Sequence, residues 1–524
     1  MQYACNNSKM FNKIEDKIAL SSSKTRVLSS HWQFVLVGIL ALMPASGIGT
    51  SRIGDSHSMQ SSDPVIVEIF TLPSVLDSAA IRSVGHYILL RHLVRPFLEY
   101  QNDGQLSGNL MKAWTINKDH TRYTFELADD ANWSNGTPVL CEQVASHLQH
   151  LKKMRSSIHF DFESLSEVKC LAGNKIEISL RHPNVLFLSQ VTEPEFGPVW
   201  QSDHFDITSG PYYLKKGVPE KEYVLSRRTA NYRGIDPAAP NELVFKSSDV
   251  ETQIQDFISG KVMFLASKST LTDAQHKQLI SAPGAKALQP RIGFTYWLSL
   301  SPHSKTLHDL EVRKKIQSLF VVGGFTPDPP LPTWSPAGQL FLEDGPGRPT
   351  KTELEKWKSK LPVKPTFRGL KLSLLLDQTF PFNQQVLARL TGAGIIVNAD
   401  YYTGQDQYVE RMKKLTYDIV LINNDFASVD LLENISVTLN PARPLIFVEK
   451  NDQFVAKNLS HARTLLDDVD RYPIYKQIGL HVLERALIVP LMYRSTWFYH
   501  SNQLDLSSWS RLFFEVAFWK TRVR

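Results

Sequence analysis

Between residues 370 and 425 the chain alternates apolar strand-like runs with helical ones, and no other stretch narrows the fold as far. "LKLSLLLD" is followed in order by "FNQQVLARLTGAG", "IIVNADYY", "QDQYVERMKKLT" and "YDIVLINNDF". The first, third and fifth runs are short and apolar, as buried strands are. The second and fourth carry apolar residues at helical spacing, and the earlier of them closes on a glycine stop. Strand–helix–strand–helix–strand predicts a βαβ lobe with a largely parallel sheet.

The N-terminal half reads differently. "PVIVEIF" is a candidate buried strand, and "IRSVGHYILLRHLVRPFLEY" a helix ending near Arg95 and Pro96. Tyr123, Phe125 and Leu127 alternate as on a half-buried strand, which runs into the turn "NWSNGTP". After it, Val144, Leu148 and Leu151 recur at helical period, and "KIEISLRHP" alternates again. "SGPYYLKKGVPEKEYVLSRRTANYRG" reads as a hairpin. From Arg291 an aromatic strand, "RIGFTYWLSLS", leads to the helix "LEVRKKIQSLFVVGG", and a Pro-rich loop spans 326–349. The helix "YPIYKQIGLHVLERA" precedes the apolar run "LIVPLMY". The aromatic C-terminus is read as a terminal segment docked on the first lobe, an interaction patch being the alternative. Sheet-rich and βα-rich regions therefore imply two lobes joined by more than one crossing.

With 524 residues the chain exceeds one simple core. A hydrophobic share of 42% against 21% charged residues is that of a soluble globular protein. The net charge of +6 is scattered rather than gathered into a basic stripe, which argues against a nucleic-acid partner. Basic residues precede the apolar run "FVLVGILALM" and the small residues "PASGIGTS", the order of a secretory signal. The run is shorter than the roughly 20 residues of a membrane span. Export is expected, with an uncleaved membrane anchor as the alternative because the basic region is long. Cys141 and Cys170 would remain after cleavage; they either pair in an oxidising compartment or stand as separate thiols.

No nucleophile elbow, zinc-protease helix or phosphate loop occurs, so no catalytic or metal residue and no cofactor is assigned. His147 and His150 share a helical face but lack a third ligand nearby. An exported chain of this size without catalytic signatures is a binder before it is an enzyme.

The ordered motifs resemble a family. "LSGNLMKAWTINKDHTRYTFELADDANWSNGTPVLCEQV" is similar to the "L-A-x-x-W", "Y-T-F-x-L" and "W-S-D-G-x-P-x-T-A-x-D-V" segments of the family 5 extracellular solute-binding proteins of ABC importers, the dipeptide, oligopeptide and nickel type. "SGPYYL" with "NYRG", "LEVRKKIQSLF" and "LIVPLMY" resemble its later segments, in the same order. The resemblance implies an α/β, periplasmic-binding-protein-like fold (class II, type C): two lobes, hinge-crossing segments, and an extra subdomain inserted in the first lobe. It implies a signal segment and leader over 1–62, lobe I over 63–98, 175–287 and 486–524, the inserted subdomain over 99–174, and lobe II over 288–485. Crossings are expected near 288–297 and 486–493.

Such a protein would capture a peptide-like solute by hinge closure and deliver it to a membrane permease. It would act as a periplasmic or extracytoplasmic monomer and catalyse nothing. A sensor of the same fold, or a binder of nickel or sugar, is the alternative. In peptide binders of this type an Asp after the "Y-D-[IL]" strand pairs with the ligand ammonium. Here that region reads "YDIVLINNDFASVDLLENI", with Asn423-Asn424 where relatives carry Gly-Trp. The implied ligand residues are Asp425 and Asp430, with Asn424, Tyr296, Trp297 and Tyr401 lining the cleft. After the opening turn the family's capping Thr is missing, and Thr137 or Asn135 is expected to cap the helix instead.

Overall fold

Alternation and helical spacing translate directly into the elements of the computed structural model. It describes residues 63–524 apart from 70, 80, 82, 103, 155–159, 161, 202–203, 267–270, 290–292, 342–346, 413–416, 426–430, 440–444, 450–451, 466 and 511–515. The expected export segment lies outside the described residues, as does Asp430. These described parts fall within one unit, Met59–Arg524.

A seven-stranded sheet centres on Val65–Glu68, which runs parallel to Glu242–Lys246 on one side and Phe264–Ala266 on the other. Val65, Val67 and Ile69 enter its core, where they meet Leu89, Leu90 and Leu93 of the helix Val84–Leu93. Ser83 caps that helix, its hydroxyl accepting from the His86 amide at 3.2 Å. The C-terminal tail closes the same core with Phe518 and Trp519, and Arg522–Val523 pairs with Leu504–Asp505. His92 bonds across this contact. Its Nδ1 donates to the Ile88 carbonyl at 2.8 Å, and its Nε2 accepts from the Phe518 amide at 3.4 Å.

A four-stranded antiparallel sheet follows, in the order Met111–Ile116, Arg122–Leu127, Lys175–Leu180, Leu165–Leu171. Tyr123, Phe125 and Leu127 point inward, toward Val144, Leu148 and Leu151 of the helix Cys141–Met154. The cysteine alternative resolves to pairing: Cys141 and Cys170 form a disulfide with Cα atoms 5.8 Å apart, joining that helix to an edge strand. His147 is buried in the same layer and donates from Nε2 to the Glu195 carbonyl at 2.8 Å.

In the turn before the helix, Trp133 is fully buried and Gly136 has φ +87°. The expected caps do not form. Asn135 accepts instead from the amide and hydroxyl of Thr137 within the turn, at 3.0 and 2.7 Å. Gln143 takes over: its Oε1 accepts from the Leu140 amide at 2.9 Å and from Trp133 Nε1 at 3.1 Å.

The third sheet runs Trp334–Pro336, Ile488–Ser495, Gly293–Leu300, Ile419–Asp425, Lys371–Asp377, Ile396–Tyr402. All five elements expected between residues 370 and 425 form. Only Ile419–Asp425, Lys371–Asp377 and Ile396–Tyr402 are mutually parallel, however. Gly293–Leu300 is antiparallel to both its neighbours, so the sheet is mixed. The reason is connectivity: this strand enters from the first sheet rather than through a βα crossover.

Each face of the mixed sheet buries its own core. Tyr296, Leu298 and Leu300 face one, with Leu421 and Leu374. Trp297 faces the other, with Val420, Ile435 and Ile478.

Candidate ligand-binding site

The chain passes from the seven-stranded to the mixed sheet between Ala285–Leu288 and Gly293–Leu300, and returns between Ile488–Ser495 and Phe498–Ser501. The return link, Thr496 and Trp497, comes just after the range expected for it. In the first sheet the parallel strands end at Glu68, Lys246 and Ala266, and Ala266 and Leu288 both pair with Phe498 beside the links. In the mixed sheet the parallel strands end at Asp377, Tyr402 and Asp425, and Phe294 at the start of its strand pairs with Asp425. Both sheets therefore direct the carboxyl ends of their parallel strands toward the crossings. Open α/β sheets bind ligands outside those ends, which makes the crossing edge the candidate site.

On the first sheet's edge the Glu68 side chain is committed. Glu68 is buried and accepts from the Ser248 hydroxyl at 3.1 Å, the Ser248 amide at 3.2 Å and Gln253 Nε2 at 3.3 Å. Burial raises its carboxyl above the usual carboxylate range despite those bonds.

The mixed sheet's edge is different. Asp425, Phe294, Arg494 and Trp334 are register partners along one lateral row of four adjacent strands, and Phe294, Arg494 and Trp334 share a face. Arg494 lies with its guanidinium carbon 3.9 Å from the Phe294 ring centre, and 5.9 and 6.0 Å from those of Tyr296 and Trp334. One of its N–H groups donates to the Tyr296 hydroxyl at 3.0 Å. No carboxylate pairs with it among the described residues.

The sequence-derived residues divide as follows. Asp425 ends its strand at this edge, while its side chain lies outside what the structure describes. Asn424 points to the opposite face, where its Nδ2 donates to the Thr438 hydroxyl at 2.7 Å. Tyr296 is buried between Phe380 and Trp334, at ring distances of 5.2 and 4.9 Å. Trp297 is fully buried on the other face, and its Nε1 has no hydrogen-bond partner among the described residues. Thr295 Oγ1, on the same face, and Thr496 Oγ1, in the return link, share that lack. Buried polar atoms are normally satisfied, so these three are groups to which a polar solute or water could bond. Tyr401 lies on the outermost strand, and its ring is partly exposed. Adjacent residues on a strand face opposite ways, so Tyr296 and Trp297 cannot both line one wall.

Arg494, Phe294 and Trp334 were not anticipated. The available signal was a single cation ending the apolar run Ile488–Ser495. Its aromatic surroundings come from strands about 160 and 200 residues earlier, which only sheet register reveals.

Residues 105–318 match the model for bacterial extracellular solute-binding proteins, family 5 Middle. The nickel-binding periplasmic protein of Escherichia coli is 27% identical over 184 residues, covering 32% of this chain and 35% of that one. The periplasmic oligopeptide-binding protein OppA of the same organism is 22% identical over 273 residues, covering 46% of this chain and 50% of that one. The matched part thus spans half or less of these curated relatives. The crystal structure of NikA from Brucella suis in complex with Fe(III)-EDTA aligns over 88% of this chain and 100% of its own, with TM-score 0.70 and 18% identity. The fold is therefore the two-lobed, mixed α/β fold of periplasmic binding proteins of the family 5 type. Among the described residues no helix is long and apolar enough to cross a membrane.

Proposed function

From the chain's resemblance to the family 5 extracellular solute-binding proteins, we propose that it is the exported substrate-binding component of an ABC importer. It captures a peptide-like solute between its lobes by hinge closure and passes it to a membrane permease. It acts as a periplasmic or extracytoplasmic monomer and performs no reaction. The observation that carries this reading is the placement of both sheets' carboxyl edges at the crossings, so that rotation about the links brings the two edges together. Strand-end backbone groups would read the ligand main chain, and Asp425 or Asp430 would pair with its ammonium group. Asn424, Thr295 and Trp297 supply polar atoms on one face of the strand ends, while Tyr296 and Tyr401 contribute aromatic wall.

A second reading, nickel as the solute, is favoured by the likeness to a nickel-binding relative. Thermal-shift screening against di-, tri- and oligopeptides, sugars and Ni²⁺ separates the two. A specific ligand at 100 times its Kd stabilises by about 2.7 kcal/mol. A shift with Ni²⁺ or a sugar and none with any peptide pool would reject the peptide reading. Asp425→Asn and Asp430→Asn, made separately, test the ammonium contact. The expected result is at least about a tenfold loss of peptide affinity in one of them. Unchanged affinity in both would reject that contact.

A further inference from the structure

We infer that Arg494 is the anion-reading group of the crossing edge, so that the solute carries a carboxylate bound by that guanidinium. The inference rests on the proposed binding function and deepens it by naming the chemistry at one end of the ligand.

Three buried arginines elsewhere are tied to fixed carboxylate or carbonyl partners. Arg95 is tied to Asn109 and to both carboxylate oxygens of Asp130. Arg313 is tied to Glu449 and to the carbonyls of Leu307, His308 and Arg485. Arg228 bonds to the carbonyls of Ser209, Gly210, Asn132 and Trp133. Arg494 is half-buried, and among the described residues it uses one donor, on the Tyr296 hydroxyl.

A guanidinium carries five donors in a rigid planar fork. Here one flat side rests on Phe294, with Tyr296 and Trp334 beside it. Ring contacts hold the plane and partly offset its desolvation, yet they use no N–H. The remaining donors form an oriented fork, which suits the two oxygens of a carboxylate. Across Phe294 stands Asp425, two strand spacings or about 10 Å away at the backbone.

Carboxylates reach such a site from two sources, the C-terminus of a peptide or a nitrogen-free organic acid. The test uses the full chain with three probes: a mixture of di- and tripeptides with free C-termini, the same mixture as C-terminal amides, and citrate with succinate and galacturonate. Binding is read by thermal shift and by calorimetric titration, for the wild type, Arg494→Gln and Arg494→Lys. We expect the free acids to bind at least tenfold more tightly than the amides. Arg494→Gln should fall to the level of the amides, and Arg494→Lys should fall between.

Equal binding of acids and amides overturns the inference while leaving the peptide reading intact. Organic acids binding without any peptide response uphold the inference and reject the peptide reading. Free acids binding to Arg494→Gln as they do to the wild type, or no response to any carboxylate, overturns it. Should Arg494→Gln fail to fold, the acid–amide comparison on the wild type decides alone. A local signal supports the assignment: Trp334 emission, isolated as the difference between the wild type and Trp334→Phe, should change on binding, and an unchanged signal counts against it.

Discussion

Two arginine-centred regions of this protein look alike in composition and differ in how their hydrogen bonds end. In the first, Arg95 and Arg228 flank Tyr232, with guanidinium carbons 4.7 and 5.3 Å from its ring centre. Asp130 closes the knot. Burial opposes its ionisation, but the Arg95 charge and the Arg233 amide hold its carboxyl below the usual range. Arg228 also bonds to the turn at Asn132 and Trp133, so the knot ties the four-stranded subdomain to the first sheet. Burial pulls its guanidinium down to about 10, still charged at neutral pH. In the second region Arg494 has aromatic neighbours of the same kind but no carboxylate or carbonyl partner among the described residues. A cation tied to a carboxylate and several carbonyls does structural work; one without them retains donors for a partner from outside.

Reducing the built region should cost most. Changing both Cys141 and Cys170 to Ser removes a cross-link spanning 29 residues, and chain-entropy scaling gives a loss of about 3–4 kcal/mol in urea denaturation. Arg95→Ala strands a largely buried carboxylate and should cost about 3 kcal/mol in the same measurement. Solute affinity of the molecules that remain folded should not change. A ligand effect as large as that of Arg494→Gln would erase the distinction between the two regions.

Acid sharpens the comparison further. Burial holds His147 at about 4 and His92 at about 3, both below the ordinary value for histidine. The unfolded chain therefore binds protons that the folded chain refuses. Stability should be complete above about pH 6.5 and fall progressively as the pH drops toward 4. Protonating His92 would also remove its acceptor from the Phe518 amide, so hydrogen exchange in the C-terminal tail should rise as the pH falls toward 3, after His147 has protonated. His147→Gln should flatten the stability–pH slope by about one proton across that window. The smallest expected stability change is that of Arg494→Gln, about 1 kcal/mol without ligand, as the loss of one hydrogen bond to Tyr296 and of the ring contact with Phe294 allows. A loss of several kcal/mol would mean that Arg494 holds the fold and not a ligand.

Much of the fold was legible because periodicity reports local structure. The helix and strand assignments between residues 370 and 425 all hold, since each buries one face or both in the usual way. The disulfide stayed open in the sequence because two cysteines 29 positions apart do not state their Cα distance. The helix cap was misplaced on Asn135 and Thr137 because both side chains had a nearer partner in each other. At the site, Asp425 was found from its place after a strand, which a local pattern can mark. Arg494 was missed because what distinguishes it is a ring-lined seat with no carboxylate or carbonyl partner among the described residues, and both are properties of packing.

Local pattern was enough for the five elements between residues 370 and 425, for two lobes, and for an acidic residue ending a strand of the second lobe. Packing set the antiparallel course of Gly293–Leu300 within the mixed sheet and turned the carboxyl ends of both sheets' parallel strands to the crossings. It also set Arg494 and Asp425 on either side of Phe294. The physical reason is range: hydrophobic period acts over a few residues, whereas register aligns residues 294, 334, 425 and 494 through backbone hydrogen bonds between distant strands.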